Sequence, residues 1–106
     1  MIDHRMSAEL ELIGLDRPVA EEELRRLCRL EREHLLEWIA EGVISPQADP
    51  SGPRRFSARQ VVRARLACRL QRDLELETEA LPLVLDLLEE VHSLRRQVRL
   101  LARLSE

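Results

Sequence analysis

Residues 21–70 read EEELRRLCRLEREHLLEWIAEGVISPQADPSGPRRFSARQVVRARLACRL, and the pattern predicts a helix, a tight turn, a second helix, a two-stranded wing and a longer third helix. The clearest local signal is the run AEGVISP at 40–46. Gly42 suits the left-handed conformation that ends a helix, because glycine has no Cβ to oppose a positive φ. Pro46 then prevents a return to helix, since proline lacks the backbone N–H. The second helix is therefore expected to end near residue 41.

The wing is predicted from the residues that follow. Residues 43–44 favour a short first strand, and the return strand is expected at 54–56. Between them the tip at 48–53 (ADPSGP) carries two prolines and a glycine, which are typical of a tight connection. Ser57, followed three residues later by Gln60, forms a capping box that opens the third helix.

The composition suits a small, mainly helical protein. The 106 residues are 44% hydrophobic and 35% charged but only 2% aromatic, so the core must be built chiefly from Leu, Val and Ala. We therefore expect an all-α fold, a winged helix-turn-helix with a small two-stranded wing and a C-terminal coiled-coil helix. Its expected parts are an N-terminal lead-in at 1–17 with a short strand at 10–13, the winged domain at 18–76, and a dimerisation helix at 77–106.

Charge and cysteine usage restrict the function classes. The net charge is −3, which argues against a dedicated nucleic-acid binder. Cys28 and Cys68 both fall at apolar positions of predicted helices, where buried free thiols are the expectation. No apolar run resembles a signal peptide or approaches the roughly 18 residues of a membrane span. We therefore expect a cytoplasmic protein without a membrane contact.

The residues that usually carry catalysis are scattered along the chain. His4, His34 and His92 lie in three separate segments and match no metal-ligand spacing. The serines are better explained as caps and turn residues than as nucleophiles, and the three glycines form no phosphate-binding loop. We expect no enzyme activity, no metal and no cofactor.

The second helix, expected at about 32–41, has two distinct faces. Leu35, Trp38 and Ile39 share its apolar side. The opposite side carries carboxylates at i, i+4 and i+8, namely Glu33, Glu37 and Glu41. In a helix-turn-helix this outward side is the one that enters a DNA major groove, but carboxylates there would be repelled by phosphate. Two explanations stay open, a solvated helix face and a surface for a basic protein partner.

Arginines are concentrated on the wing and on the third helix, which is expected at about 58–73. The candidates for nucleic-acid contact are Arg54, Arg55, Arg59 and Arg63, with Arg65, Arg69 and Arg72 further along the helix. The simpler explanation is a solvated helix whose arginines pair with neighbouring acids. The alternative is a contact with nucleic acid or with an acidic partner.

The last helix carries a heptad repeat. Valine occupies its a positions at 84, 91 and 98, and leucine its d positions at 87, 94 and 101. Three heptads span about 30 Å, and β-branched residues at a with leucine at d favour two-stranded coiled coils. We expect a homodimer held by Val84, Leu87, Leu88, Val91, Leu94, Val98 and Leu101. The alternative is that this helix packs back on its own domain.

The order of these features resembles the MerR-type winged helix. Proteins of that type usually carry, in the second helix, an arginine followed by two aromatic residues, where this chain has Leu36, Glu37 and Trp38. The phosphate-contacting arginine and tyrosine are thus replaced by leucine and glutamate, whereas the wing arginine has a counterpart in Arg54. The resemblance implies a MerR-type fold that lacks half of the DNA-contacting residues. A MerR-type DNA-binding transcriptional regulator is accordingly the alternative function.

A closer resemblance, from about residue 23 to residue 104, is to the MerR-like chaperone-modulator family CbpM. It rests on EHLLEWIAEGVISP at 33–46, RLQRDLELE at 69–77 and LPLVLDLLEEVHSLRRQVRLLARL at 81–104. The resemblance implies a protein that binds the J-domain of a CbpA-type, DnaJ-like co-chaperone and blocks its stimulation of Hsp70. The basic helix that J-domains present would suit an acidic surface. The candidates for that surface are Glu33, Glu37 and Glu41 or, alternatively, Asp86, Glu89 and Glu90.

Overall fold

A computed structural model describes residues 17–47 and 51–105 of the chain. In chain order the elements are β1 (Val19–Ala20), α1 (Glu21–Cys28), α2 (Arg32–Glu41), β2 (Arg55–Phe56), α3 (Ala58–Leu74), a 3-10 turn (Thr78–Ala80) and α4 (Leu81–Leu104). The predicted mainly helical fold with a small two-stranded sheet is confirmed. The predicted strand at 10–13, almost all of the lead-in and half of the predicted wing tip lie outside the described residues.

Two helix boundaries follow from local signals that the sequence shows. Gly42 closes α2 at φ 80°, and the Val43 N–H donates to the Trp38 carbonyl over 2.9 Å, which is the hydrogen bond of a Schellman cap. Ser57 caps α3, because its Oγ accepts the Gln60 N–H at 3.3 Å. Both helix boundaries are confirmed. The capping box is only half formed, because Gln60 Oε1 accepts the Ser45 N–H instead of the Ser57 N–H.

The sheet has a different first strand from the one predicted. β1 pairs antiparallel with β2, in the register Val19 with Phe56 and Ala20 with Arg55. The prediction that residues 43–44 form the first wing strand is wrong. Both of their side chains are buried, whereas successive side chains of a strand point to opposite faces and cannot both enter one core.

The segment after α2 is held mainly by α3 instead of by a strand partner. The Val43 carbonyl accepts the Arg63 Nε–H, and the Ser45 N–H donates to Gln60 Oε1 at 2.8 Å. The Gln47 N–H donates to a carbonyl of β2 at 2.8 Å. These bonds satisfy backbone groups that a strand would have satisfied in a ladder, so the segment is ordered without being part of the sheet.

One hydrophobic core joins the helices and the sheet. Its largest fully buried side chains are Trp38, Phe56, Leu24, Leu35, Ile44, Leu81, Leu85, Val19, Val43 and Val61. α4 contributes only its first turns to this core, because Leu81 and Leu85 are fully buried whereas Leu94 is half exposed. Since its 24 residues span about 36 Å, the rest of α4 extends beyond the core.

Candidate partner-binding surfaces

The outer face of α2 carries three exposed carboxylates. On the opposite face of α2, the side chains of Leu35 and Trp38 lie in the core and have no exposed surface. Because residues four apart lie on one side of a helix, the carboxylates form a single line. We call this line the acidic row, and it consists of Glu33, Glu37 and Glu41. None of the three forms an ion pair within the part of the chain that the structure describes, so the acidic row is open to a partner.

The orientation of the acidic row is fixed by Trp38. Its indole is fully buried and meets the His34 ring edge-on, with ring centroids 5.1 Å apart and an interplanar angle of 72°. The Trp38 Nε1–H has no acceptor among the described residues, which costs about 1–3 kcal/mol that burial of the large ring must offset. Rotating α2 to hide the carboxylates would expose this ring, so the acidic row stays at the surface.

Arg63 links three parts of the fold. Its side chain is 9% exposed. It donates to the Val43 carbonyl, to Asp86 Oδ1 at 2.9 Å and to Glu89 Oε1 at 3.0 Å. These charge-assisted bonds join the segment after α2, helix α3 and helix α4. Sequence reasoning placed Arg63 on a solvated helix whose arginines pair with neighbouring acids or, alternatively, in a nucleic-acid contact. It missed the nearly buried link to α4, for which the two carboxylates three residues apart on that helix were the available signal.

Two more arginines of the predicted DNA-contacting set are paired with carboxylates. Arg54 Nη1 lies 3.0 Å from Glu21 Oε1, and Arg59 Nη2 lies 3.6 Å from Glu89 Oε2. Arg55 is exposed on β2. Exposed pairs of this kind contribute little to stability, but they place carboxylates on the surface that a phosphate backbone would have to approach. The arginine surface is therefore much less cationic than the sequence alone indicates.

The alternative acidic surface on α4 is largely occupied within the chain. Asp86 and Glu89 both lie within ion-pair distance of Arg63, at 2.9 Å and 3.0 Å. Glu90 is exposed. Two of these three carboxylates therefore hold α3 against α4, in contrast to the carboxylates of the acidic row.

The second half of α4 presents an apolar stripe to solvent. Leu85 faces the core, and Leu87, about 200° further round the helix, is 56% exposed. The exposed hydrophobic residues of the predicted heptad, here called the apolar stripe, are Leu87, Val91, Leu94, Val98 and Leu101. The other two residues predicted for dimerisation, Val84 and Leu88, are half-buried, and Leu88 packs against the core. A contiguous exposed stripe of this length is typical of an interaction surface.

Two kinds of feature are absent from residues 17–47 and 51–105. Within these ranges no three His, Cys, Asp or Glu side chains are grouped so that they could hold a metal ion. In the same ranges no helix combines the length and the apolar character needed to cross a membrane.

Comparison with known proteins relates the chain to a family of regulators. Residues 19–103 match the family described as MerR HTH family regulatory protein. A Chaperone modulatory protein CbpM from Coxiella burnetii (strain Dugway 5J108-111) is 28% identical over 92 residues, which are 87% of each chain. The proteins of that name from Pseudomonas putida (strain W619) and Pseudomonas entomophila (strain L48) are 31% and 38% identical over 71% of this chain and 77% of theirs. No solved structure was found to match the chain.

Proposed function

The chain belongs to the CbpM family of chaperone modulatory proteins and has the MerR helix-turn-helix fold, and we propose that it binds the J-domain of a CbpA-type co-chaperone and blocks its stimulation of Hsp70. In this proposal the protein acts by binding alone, in the cytoplasm, and catalyses no reaction. The proposal rests on the CbpM relatives and, within the structure, on one observation, the exposed and unpaired acidic row of α2.

The acidic row suits a basic protein partner. Its carboxylates at 33, 37 and 41 are about 6 Å apart along the axis of a rigid helix, so they form a line that a basic helix can follow. Complementary charge of this kind speeds encounter and fixes orientation more than it adds affinity. When the J-domain binds α2 in this way, its basic helix is covered. Because the J-domain engages Hsp70 with the same helix, the stimulation of Hsp70 would be lost by competition.

The acidic row is a better candidate for the J-domain contact than the acids on α4. Using Asp86 or Glu89 would require the partner to compete with Arg63, which already donates to both. Because Arg63 is nearly buried, losing its two carboxylate acceptors would carry a high desolvation cost. The acidic row has no such competitor among the described residues.

We also propose that the protein is a homodimer held by the apolar stripe of α4. A second copy is the occupant that the sequence of the stripe favours, because valine at a and leucine at d specify two-stranded coiled coils. The stripe lies on the side of α4 opposite Leu85, so pairing would leave the core contacts in place. The acidic row, on a different helix, would remain open in the dimer.

The second candidate function is a DNA-binding regulator. The MerR family match and the exposed Arg55 favour it. Against it, the helix that would enter the major groove carries the acidic row, and Arg54, Arg59 and Arg63 already face carboxylates. A duplex would therefore meet negative charge on both surfaces that a MerR-type protein uses.

Binding assays with both classes of partner distinguish these functions. We expect an isolated J-domain from a CbpA-type protein to bind the unmodified chain in calorimetric titration at 0.15 M salt, and to bind more weakly as salt is raised, because exposed charges are screened within about 8–10 Å. Duplex DNA should show only weak, non-specific binding in the same buffer. Sub-micromolar, sequence-selective binding of duplex without any J-domain binding would reverse the assignment.

A further inference from the structure

Two cysteines that are far apart in sequence meet between α1 and α3. Cys28 is the last residue of α1 and Cys68 lies in the middle of α3, and both are free. The Cys68 Sγ lies 3.4 Å from the Cys28 carbonyl oxygen, to which it donates. Sequence reasoning predicted two buried thiols, but both residues are only half-buried. The reason is that α1 ends at Cys28, so the contact lies at the edge of the core.

The two thiols lie in an open cleft lined by arginines, one of which, Arg72, is paired with Asp73 at 3.0 Å. The cleft has a volume of about 390 Å³ and is lined by both cysteines and by four arginines. These arginines are Arg29, Arg65, Arg69 and Arg72. Reactive cysteines in proteins occupy electropositive and partly exposed surroundings of this kind, whereas structural thiols are buried among apolar groups.

The surroundings make the two thiols chemically unequal. The interaction between the two side chains lowers the pKa of Cys68 and raises the pKa of Cys28. The donation from Cys68 Sγ to the Cys28 carbonyl acts in the opposite sense, because it favours the protonated form of Cys68. Burial raises the pKa of both, and the charges of Arg65 and Arg72 lower the pKa of Cys68 further. Cys68 is thus the thiol that ionises first, and Cys28 is a protonated thiol beside it.

We propose that Cys28 and Cys68 form a peroxide-reactive pair that closes a disulfide between α1 and α3. The Cys68 thiolate attacks one oxygen of hydrogen peroxide and the O–O bond breaks. The departing hydroxide takes the proton that Cys68 released, leaving water and a sulfenic acid on Cys68. The Cys28 sulfur then attacks Cys68 Sγ, the S–O bond breaks, and the departing hydroxide takes the Cys28 proton as a second water. Two thiols are oxidised by two electrons, and one peroxide is reduced to two waters.

This pairing is independent of the proposed chaperone function. It requires only the two thiols and the arginine-lined cleft, and it lies on α1 and α3 instead of on the acidic row or the apolar stripe. Chains in a reducing compartment use disulfides mainly as transient, redox-sensing bonds. The reversible closure of a bond between two helices fits that use.

Intact-mass measurement on the full chain tests the proposal. Hydrogen peroxide should lower the mass of the reduced monomer by about 2 Da, and dithiothreitol should restore it. The variant Cys28→Ser, which lacks the second thiol, should instead gain about 16 Da as a sulfenic acid on Cys68 that dimedone traps. The variant Cys68→Ser should react severalfold more slowly than Cys28→Ser, because burial still raises the pKa of its remaining thiol, whereas Arg65 and Arg72 lower the pKa of Cys68.

Three results would overturn the proposal. They are an unchanged mass of the unmodified chain, a disulfide that links two chains, and a Cys68→Ser variant that reacts as fast as Cys28→Ser. Circular dichroism shows whether each variant is folded. If a variant is not folded, the proposal is tested on the unmodified chain alone. The readouts are then the mass change and a peptide map that shows whether Cys28 and Cys68 are linked.

Discussion

Reversing the charge of the acidic row, with the triple variant Glu33→Lys, Glu37→Lys and Glu41→Lys, is expected to weaken J-domain binding by about a hundredfold or more. Each replacement turns attraction into repulsion toward a basic partner helix, which slows encounter and destabilises the docked orientation. The fold should be preserved, because all three side chains are exposed. The repulsion between like charges at i and i+4 also stays about the same when glutamates are replaced by lysines. Calorimetric titration of an isolated J-domain, after circular dichroism has confirmed the helices, measures the effect.

A matched control separates this local effect from net charge. The variant Glu22→Lys, Glu75→Lys and Glu77→Lys makes the same change in net charge at exposed positions that lie in neither candidate acidic surface. We expect its affinity to fall far less than that of the acidic-row variant, since distant exposed charges are screened. If the acidic-row variant bound the J-domain as tightly as the unmodified chain, the acidic row would be only a solvated face. The contact would then have to be sought around Asp86, Glu89 and Glu90.

Replacing Leu94 by alanine is expected to convert the proposed dimer into a monomer at micromolar concentration. Leu94 is 49% exposed in the single chain and stands at the centre of the apolar stripe. Removing a leucine side chain from an apolar contact costs about 2 kcal/mol or more. In a two-fold interface the substitution occurs twice, once in each protomer. A total of about 4 kcal/mol weakens dimerisation roughly a thousandfold. Sedimentation or light scattering of both proteins over a concentration series measures the shift.

The control for this experiment lies two residues further along α4. Arg96→Ala changes an exposed residue that is outside the heptad seam, so the dimer should persist. A monomer mass for the unmodified protein at micromolar concentration would contradict the proposed dimer.

The parts of the fold that were predictable depend on interactions between near neighbours. Gly42 ends α2 and Ser57 begins α3 because each acts on backbone groups within about four residues, and such signals are visible in a sequence. The two faces of α2 were predictable for the same reason, since a helix converts spacing directly into a face.

The parts that sequence reasoning missed depend on partners far along the chain. β1 has only two residues, and its existence requires β2, which lies more than thirty residues away. Residues 43–44 have the β-branched side chains of a strand, but that composition does not distinguish a strand from a segment that places both side chains in the core.

The candidate sites also differ in whether they depend on near neighbours or on residues far apart in the chain. The acidic row and the heptad could be read from helical periodicity alone. The role of Arg63 could not, because its acceptors come from the segment after α2 and from α4. The Cys28–Cys68 contact also joins residues 40 positions apart, and nothing in the sequence near either cysteine indicates the other.

The central claim, inhibition of a co-chaperone, is tested most directly by the ATPase rate of Hsp70. The rate is measured with Hsp70 alone, with Hsp70 and a CbpA-type J-protein, and with both while the unmodified chain is titrated in. We predict that the stimulated rate falls to the basal rate as the chain saturates the J-protein, while the basal rate of Hsp70 alone stays unchanged. A stimulated rate that persists at saturating concentrations of the chain would contradict the claim.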